Sequence, residues 1–302
     1  MEPSEGSSET SSRYTGIPLN FGGLAPEFSR FDRARVAVLP VPYDLTTSYM
    51  PGTRRGPLAI LEASTHMELY DEELEREPYK VGIHTLDSLE PSAAGPEETI
   101  DRVEEAIELI LEAGKFPVML GGEHSLTLAP ARALRKKYEN FTVLQLDAHA
   151  DLRDSYQNTQ FNHACVARRV HELGLNIVQI GIRAISSEEA TFIEKSDRVR
   201  VLLDYELHQD PSRIERLLEH LQGPVYLTLD LDVFEPGLMP AVGTPEPGGL
   251  DWYTVLRILR SVGNQHEVIG CDVVELCPIP SVVSPDFLAA KLVYKMIGYF
   301  LR

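Results

Sequence analysis

The sequence is poor in cysteine, in tryptophan and in basic residues. Its 302 residues include 3 cysteines and 1 tryptophan. Three cysteines are too few for the disulfide framework of a secreted domain, which favours a reducing, cytoplasmic location. Lys and Arg number 28 against 46 Asp and Glu, so the formal net charge is −18. Because a phosphate backbone is bound by concentrated Lys and Arg, this balance argues against a nucleic-acid-binding protein.

Long apolar runs are also missing. A membrane-spanning helix needs roughly 20 consecutive apolar residues, and the longest stretches, such as residues 116–120, are far shorter. We therefore expect no membrane partner. Hydrophobic residues make up 43% and charged residues 25% of the chain, which excludes global disorder. Residues 1–12 are rich in Ser and Glu and are predicted to form a disordered tail, and residues 13–302 a single domain.

Short apolar runs alternate with amphipathic segments along the rest of the chain. Helical periodicity is clear at residues 103–111 and 252–262, and a last helix is predicted at 286–300. The predicted strands are residues 36–41, 116–120, 142–147, 177–182, 199–203, 225–230 and 268–273. Strands that are apolar throughout and separated by helices indicate a parallel sheet covered on both faces. The functional site of such a sheet lies at the carboxyl ends of its strands.

Metal-capable side chains follow three of these strands. They are His124, then Asp147, His149 and Asp151, and finally Asp230 and Asp232. Side chains at alternate positions lie on one face if the backbone stays extended. A lone Asp after a strand is usually a helix cap or a turn residue. Four carboxylates crowded at one edge, however, repel one another unless cations neutralise them, so the set predicts a metal site.

The types of donor atom narrow the chemistry of this site. The set is rich in oxygen and contains no thiolate, unlike a structural zinc site. Six side chains suffice for two ions only if carboxylates bridge them, at a metal–metal spacing of about 3.5–4 Å. Two such ions lower the pKa of a shared water, and the residues therefore predict a hydrolytic centre. Cys165 is expected to pack as a small hydrophobe.

These motifs resemble the ureohydrolase (arginase/agmatinase) family. The resemblance rests on residues 121–125 (GGEHS), 147–151 (DAHAD) and 230–232 (DLD). It continues in order through residues 51–57 (PGTRRGP), 181–183 (GIR), 243–249 (GTPEPGG) and 272–275 (DVVE). It implies an α/β fold, a three-layer α-β-α arrangement with a central, mostly parallel sheet. It also implies two Mn²⁺ per chain, release of urea from a guanidino compound, and a homotrimer or homohexamer.

The resemblance also implies roles for individual residues. One Mn²⁺ would be held by His124, Asp147, Asp151 and Asp230. The other would be held by Asp147, His149, Asp230 and Asp232, so that Asp147 and Asp230 bridge the two ions. His163 matches a loop histidine that shuttles protons, and Glu275 matches the glutamate that receives the guanidinium. Asp151 is the third catalytic residue, because it can pass a proton to the leaving amine.

The substrate is expected to be a small cationic guanidino compound. Arginases carry Asn two residues after the last Asp of the Asp-x-His-x-Asp motif, where this chain has Arg153. The segments around His163 and at residues 244–247 resemble agmatinases. We therefore expect hydrolysis of agmatine to putrescine and urea, by a metal-bridging hydroxide that attacks the guanidinium carbon. N1-aminopropylagmatine and guanidinobutyrate are alternatives; arginine and formimidoylglutamate rank lower, although Arg153 suits an anionic substrate.

Two positions depart from the family pattern. Glu123 stands where many members have Asp, and Glu235 stands where Asp commonly precedes Pro236. Two other classes of protein also remain open. A single-metal deacetylase on a related fold would need fewer ligands, and a metal-binding protein without activity would keep the fold alone.

Overall fold

The computed structural model describes residues 16–301. Its central element is an 8-stranded sheet in the order β2-β1-β3-β8-β7-β4-β5-β6, in which every neighbouring pair is parallel. The strands are β1 Val36–Pro40, β2 Ile83–Thr85, β3 Phe116–Leu120, β4 Thr142–Leu146, β5 Asn176–Ile182, β6 Val199–Leu203, β7 Val225–Asp230 and β8 Val268–Val274. The predicted tail, residues 1–12, lies outside the described residues, and the single-domain boundary stays a prediction.

The seven predicted strands are present, and one strand was missed. The missed strand, β2, has three residues and pairs only with β1 at the edge of the sheet. His84 and Thr85 are only half-buried there, so this strand leaves no continuous apolar run to detect. By contrast, β1, β4 and β7 are buried along their whole length, as strands covered on both faces should be.

Ten helices accompany the sheet in the described residues. They are α1 Pro26–Ser29, α2 Gly56–Ser64, α3 Pro96–Glu112, α4 Leu128–Lys137, α5 Val166–Glu172, α6 Ser187–Lys195, α7 Asp204–Gln209, α8 Arg213–Leu218, α9 Trp252–Gln265 and α10 Ser284–Phe300. The last helix begins two residues before the predicted position 286, with Pro285 in its first turn, where proline is well tolerated. No helix within residues 16–301 is long and apolar enough to cross a membrane.

The buried apolar side chains form two cores. Helices α2, α9 and α10 contribute to one core, and α3, α4 and α5 contribute to the other. Along β1, Val36 and Val38 belong to the first core, whereas Ala37 and Leu39 belong to the second. Because successive side chains of a strand point to opposite faces, the two cores lie on opposite sides of the sheet. The predicted three-layer α-β-α fold is thereby confirmed, and its sheet is parallel throughout.

The register of the sheet aligns four strand ends. Leu120 of β3 pairs with Val273 of β8, Val273 pairs with Leu229 of β7, and Leu229 pairs with Leu146 of β4. These residues lie at or near the carboxyl end of each strand, so the loops that follow all emerge at the same edge. The predicted metal-binding residues lie in these loops or, for Asp230, at the strand end itself, in the region where parallel α/β sheets bind ligands.

Candidate metal centre

His124 follows a sharp turn after β3. A Cβ atom at Gly122 would lie 1.8 Å from the carbonyl oxygen of Tyr43, so only glycine fits this close approach. The turn buries His124 and directs its Nδ1 towards carboxylate oxygens of Asp147, Asp151 and Asp230, at 2.9, 3.2 and 3.2 Å. Among the described residues this Nδ1 has no hydrogen-bond partner. A buried ring nitrogen facing three carboxylates is a donor set that fits a divalent cation.

A second donor group shares Asp147 with the first. The Nδ1 atom of His149 lies 2.9 Å from Asp232 Oδ2 and 3.6 Å from Asp147 Oδ1. Ligand atoms of His124, Asp147 and Asp151 all lie within 4.8 Å of one another, and so do those of Asp147, His149 and Asp232. The structure thus brings the six predicted ligands together at one edge of the sheet. Asp147 belongs to both donor groups.

Turns, rather than extended backbone, bring these side chains together. Asp151 has a φ of +54°, a left-handed conformation that is uncommon for a residue with a side chain. The expectation that residues 147–151 stay extended is therefore wrong at Asp151. Asp230 caps a short 3₁₀ helix, Leu231–Val233, because its Oδ1 accepts the N–H of Asp232 at 2.8 Å. In the motifs at residues 147–151 and 230–232, a local turn places the second carboxylate in the donor cluster.

Burial and mutual repulsion raise the pKa of two of the carboxylates. Burial, with the charges of Asp232 and Asp147, raises the pKa of Asp230 well above its ordinary value. Burial and the charge of Asp147 raise the pKa of Asp151 to about 7. Ionised carboxylates are therefore unfavourable here without a cation beside them, which supports a metal-binding role.

A buried polar network contacts Nε2 of His124, the ring nitrogen that faces away from the carboxylates. Thr228 donates its hydroxyl hydrogen to Asp272 Oδ1 at 2.6 Å and lies 2.9 Å from His124 Nε2. The hydroxyl has a single hydrogen, so His124 Nε2 is the donor to Thr228. Tyr226 and Thr127 donate to the other oxygen of Asp272, at 2.6 and 3.0 Å. The network orients the imidazole so that Nδ1 faces the carboxylates, as partners of metal-binding histidines commonly do.

The sequence interpretation missed this network. The available signal was polar residues inside otherwise apolar strands, Thr228 in β7 and Asp272 in β8. Asp272 is fully buried, and burial raises the pKa of its carboxyl. A buried acid within an apolar run generally has hydrogen-bond donors around it. That reasoning could have predicted partners for Asp272, although not their identity.

Glu275 follows β8 and contacts the backbone of a predicted ligand. Its Oε1 accepts the N–H of His124 at 2.7 Å, and the residue is 6% exposed. Its φ is +67°, which is strained for a residue with a side chain. Burial and the nearby charge of Glu123 raise the pKa of Glu275 well above its ordinary value. The carboxylate is thus held beside the centre, where a cationic group would stabilise its charge.

His163 and His149 line a cleft of about 430 Å³. Other lining residues are Asp151, Arg153, Tyr156 and Glu246. Among the described residues His163 Nε2 is buried without a hydrogen-bond partner, and burial lowers the pKa of His163 to about 4, helped by the charges of His149 and His124. Cys165 is fully buried in the fold, in accord with its expected packing. The cleft thus connects solvent with the donor cluster.

The fold and the two donor groups define an α/β protein with a candidate centre for two metal ions. The Arginase family profile matches residues 34–298. The N(1)-aminopropylagmatine ureohydrolase of Synechocystis sp. is 44% identical over 296 residues, 95% of this chain and 96% of that protein. The agmatinase of Pyrococcus horikoshii is 37% identical over 272 residues, 88% of this chain and 92% of that protein.

Solved structures agree with the sequence relatives. The agmatine ureohydrolase of Thermoplasma volcanium superposes with a TM-score of 0.84 at 31% identity, covering 97% of each chain. The proclavaminate amidino hydrolase of Streptomyces clavuligerus gives 0.82 at 28% identity, covering 95% of this chain and 98% of that one. The chain belongs to the arginase family, and the resemblance read from its motifs is confirmed.

Proposed function

We propose that the protein is a ureohydrolase that uses two divalent ions, with manganese as the expected metal. The observation that carries the proposal is the pair of donor groups that share Asp147 at the end of an open cleft. The proposed ligands are His124, Asp147, His149, Asp151, Asp230 and Asp232. When bound, such ions neutralise the carboxylates and activate a water molecule for attack on the guanidinium carbon.

The proposed roles of the chain's own groups follow from their positions. Glu275, held by the His124 N–H, accepts hydrogen bonds from the planar guanidinium, a charge-assisted pairing of the strong kind. Asp151, beside His124, takes a proton from the attacking water and gives it to the leaving amine. His163 lines the cleft and exchanges protons with bulk water. Its lowered pKa keeps the imidazole in the neutral form near neutral pH.

The far end of the substrate is proposed to be cationic. Glu246 lines the cleft, and its carboxylate lies 3.9 Å from His149 Nε2 with 41% of the side chain exposed. Among the acidic lining residues, Glu189 already accepts the N–H groups of Leu152 and Ser186, at 2.9 and 2.8 Å. Glu246 is therefore the better placed carboxylate for a distal ammonium. The guanidinium of Arg153 lies 4.9 Å from the ring centre of Tyr156.

Agmatine and N1-aminopropylagmatine both meet this description. Agmatine is the expectation from the motifs, and the agmatinase of Pyrococcus horikoshii supports it. The second candidate is supported by N(1)-aminopropylagmatine ureohydrolases of Synechocystis sp. and Thermus thermophilus, at 44% and 42% identity. These higher identities favour the longer substrate, whose extra amine would extend along the open cleft. The proposed chemistry at the guanidinium is the same for both.

Urea release by manganese-loaded protein tests the proposal. Agmatine, N1-aminopropylagmatine, guanidinobutyrate and arginine are compared in parallel, and the metal content per chain is counted. We expect two ions per chain and the highest kcat/KM for one of the two amines. Urea from none of the four would contradict the proposal. Formimidoylglutamate is assayed alongside them, and release of formamide from it would identify the anionic alternative. One ion per chain would favour the deacetylase class.

Assembly and location are proposed from the family resemblance alone. We propose a homotrimer or homohexamer in the cytoplasm. Light scattering on the eluting protein measures the mass of the assembly directly. A mass equal to the 33.7 kDa of one chain would contradict this part of the proposal without affecting the chemistry.

A further inference from the structure

Thr46 forms hydrogen bonds with Glu123, the residue before the predicted ligand His124, and with His163. Its backbone N–H donates to Glu123 Oε2 at 2.6 Å, and its hydroxyl donates to Glu123 Oε1. The same hydroxyl accepts the backbone N–H of His163 at 3.1 Å. The roles are consistent, because the single hydroxyl hydrogen goes to the carboxylate and a lone pair faces the amide. Thr46 thus connects the residue before His124 with the proposed proton shuttle.

The bonds around Thr46 are shielded from water. Thr46 is 7% exposed, Glu123 is 0% exposed and Asn162 is 1% exposed. Asn162 reaches the carbonyl oxygen of Thr46 at 3.5 Å and caps the His163–Cys165 turn by accepting the Ala164 N–H. A bond lost in such a place is not replaced by solvent, so the affected groups must move or stay unpaired.

Glu123 has the length that this connection requires. Its carboxylate accepts three donors, the N–H and hydroxyl of Thr46 and the hydroxyl of Ser125. Asp, which many family members have at this position, would be shorter by one carbon–carbon bond, about 1.5 Å. That difference is enough to break a hydrogen bond to Thr46 unless the backbone shifts. The departure noted in the sequence therefore has a structural counterpart in this chain.

We propose that Thr46, held by Glu123, is a positioning residue that sets the place of His163 during the proposed hydrolysis. The inference rests on the proposed function, because it assigns His163 a part in the reaction. Thr46 contacts His163 through the backbone amide. Its removal would therefore displace the imidazole and leave the six metal ligands intact. A residue needed only for stability would lower the melting temperature without changing the rate per folded molecule.

Thr46→Val is the principal test variant. Valine has a similar shape, but its side chain neither donates to Glu123 nor accepts from His163, whereas the backbone N–H at this position still donates to Glu123 Oε2. We expect two manganese ions per chain, a little-changed KM and a kcat lowered about 10- to 100-fold, because small displacements of catalytic groups have effects of this size. Thr46→Ser keeps the hydroxyl and should restore most of the rate. Thr46→Ala serves if the valine variant does not fold.

The neighbouring Thr47 offers a matched control. Within the described structure its hydroxyl donates to the Asp44 carbonyl, at 3.5 Å, and makes no hydrogen bond with His163. Thr47→Val should leave kcat, KM and metal content unchanged. A loss of rate equal to that of Thr46→Val would overturn the proposal, because it would show a general sensitivity of this loop.

A double-mutant cycle links the effect to His163. If Thr46 acts through His163, adding Thr46→Val to His163→Ala should cause no further loss of kcat, since the two residues then serve one function. Fully additive losses would overturn the proposal. In the pH profile of kcat, the acid and alkaline limbs should also shift in Thr46→Val and return to their wild-type positions in Thr46→Ser.

Amide hydrogen exchange provides a readout that needs no substrate. The His163 N–H should exchange slowly in the metal-loaded wild type and in Thr46→Ser, and faster in Thr46→Val. Unchanged exchange overturns the positioning role even if guanidines are hydrolysed. Faster exchange together with no urea from any guanidine would keep the contact but remove the proposed function, so the two failures are distinct.

Discussion

Two clusters of acidic residues, each built around at least one buried carboxylate, differ in what neutralises them. At the candidate metal centre, the ion-pair partners of the four Asp residues within residues 16–301 are His124 and His149. The second cluster surrounds Lys295 of α10, which is 2% exposed. Its ammonium lies 3.0 Å from Asp71, 3.5 Å from Glu72 and 3.2 Å from Glu73. The second cluster therefore contains its own permanent cation.

The pKa values of Asp230 at the metal centre and of Asp71 at the second cluster shift in opposite directions. The pKa of Asp147 is lowered despite its burial, because His124 and His149 lie beside it. At the metal centre burial raises the pKa of Asp230, and nearby carboxylates raise it further. At the second cluster burial alone would raise the pKa of Asp71, but N–H donors and Lys295 lower it overall. The pKa of Glu73 is lowered too, because Tyr299, Lys295 and Arg260 outweigh the effect of burial. Buried acids that lack a cation of their own indicate a ligand site, whereas acids around a lysine indicate a structural ion network.

The largest expected contrast is between Asp147→Ala and Asp71→Ala. Asp147 belongs to both donor groups, so its loss should abolish binding of two ions and leave no detectable urea release. Asp71→Ala should lower the melting temperature and keep both metal content and kcat. Metal counting and a urea assay on the folded proteins measure this. Full activity in Asp147→Ala would contradict the assignment of Asp147 as a ligand shared by both ions.

The next contrast concerns the lysine itself. Lys295→Met leaves Asp71 buried without its cation, and breaking a buried pair in this way should lower the free energy of unfolding by about 3–5 kcal/mol. The matched control is Lys291→Met on the same helix. Within the described residues its ammonium contacts the Glu68 carbonyl, at 3.4 Å, and the face of Tyr294. The control should change stability by about 0.5 kcal/mol or less. Equal losses in urea denaturation would show that the helix, rather than the ion network, is sensitive.

The sequence was sufficient to predict that the six candidate ligands lie close together, but not which residues surround them. His124, Asp147 and Asp230 each follow an apolar strand, and parallel strands bring their carboxyl ends to one edge, so proximity could be inferred without coordinates. The contact between Thr46 and His163 could not, because the two residues are 117 positions apart and lie in loops without periodicity. The Lys295 cluster was missed for a similar reason. Asp71 precedes α10 by more than two hundred residues, and nothing in its local sequence indicates burial.

The short edge strand β2 shows the limit of predicting the fold from the sequence. Continuous apolar runs predicted the seven longer strands, because burial on both faces of the sheet requires such runs. Ile83–Thr85 is half-buried at the sheet edge, so the requirement does not apply there. The left-handed backbone of Asp151 was likewise invisible, since Asp tolerates this conformation without a distinctive neighbour.

Asp230→Asn should reveal the repulsion at the metal centre. In the metal-free protein, removing one of the facing carboxylates should raise the free energy of unfolding, because burial and repulsion by Asp232 and Asp147 make an ionised Asp230 unfavourable. With manganese present the order should reverse, because only the wild type gains full metal stabilisation. Urea denaturation with and without a chelator measures both values. A destabilised metal-free variant would contradict the contrast with the Lys295 cluster.

The smallest effect is a pH dependence of the Lys295 cluster. Because the folded protein lowers the pKa of Asp71 below 3.8, its contribution to stability is present above that value and is lost as the pH falls through the folded pKa. Lys295 stays protonated throughout, since its pKa is raised overall although burial opposes this. The gap in the free energy of unfolding between wild type and Asp71→Asn should therefore narrow below about pH 4.

Urea denaturation at pH 7, 5, 4 and 3 measures this gap, with Asp101→Asn as the control. Asp101 pairs with Arg132 at 3.0 Å but is 55% exposed, and exposed pairs contribute only about 0–1 kcal/mol. Its gap should stay small at every pH. A gap for Asp71→Asn that widens in acid would mean that Asp71 has a raised pKa. The two clusters would then share one electrostatic character, and the absence of a lysine would no longer distinguish a ligand site from an ion network.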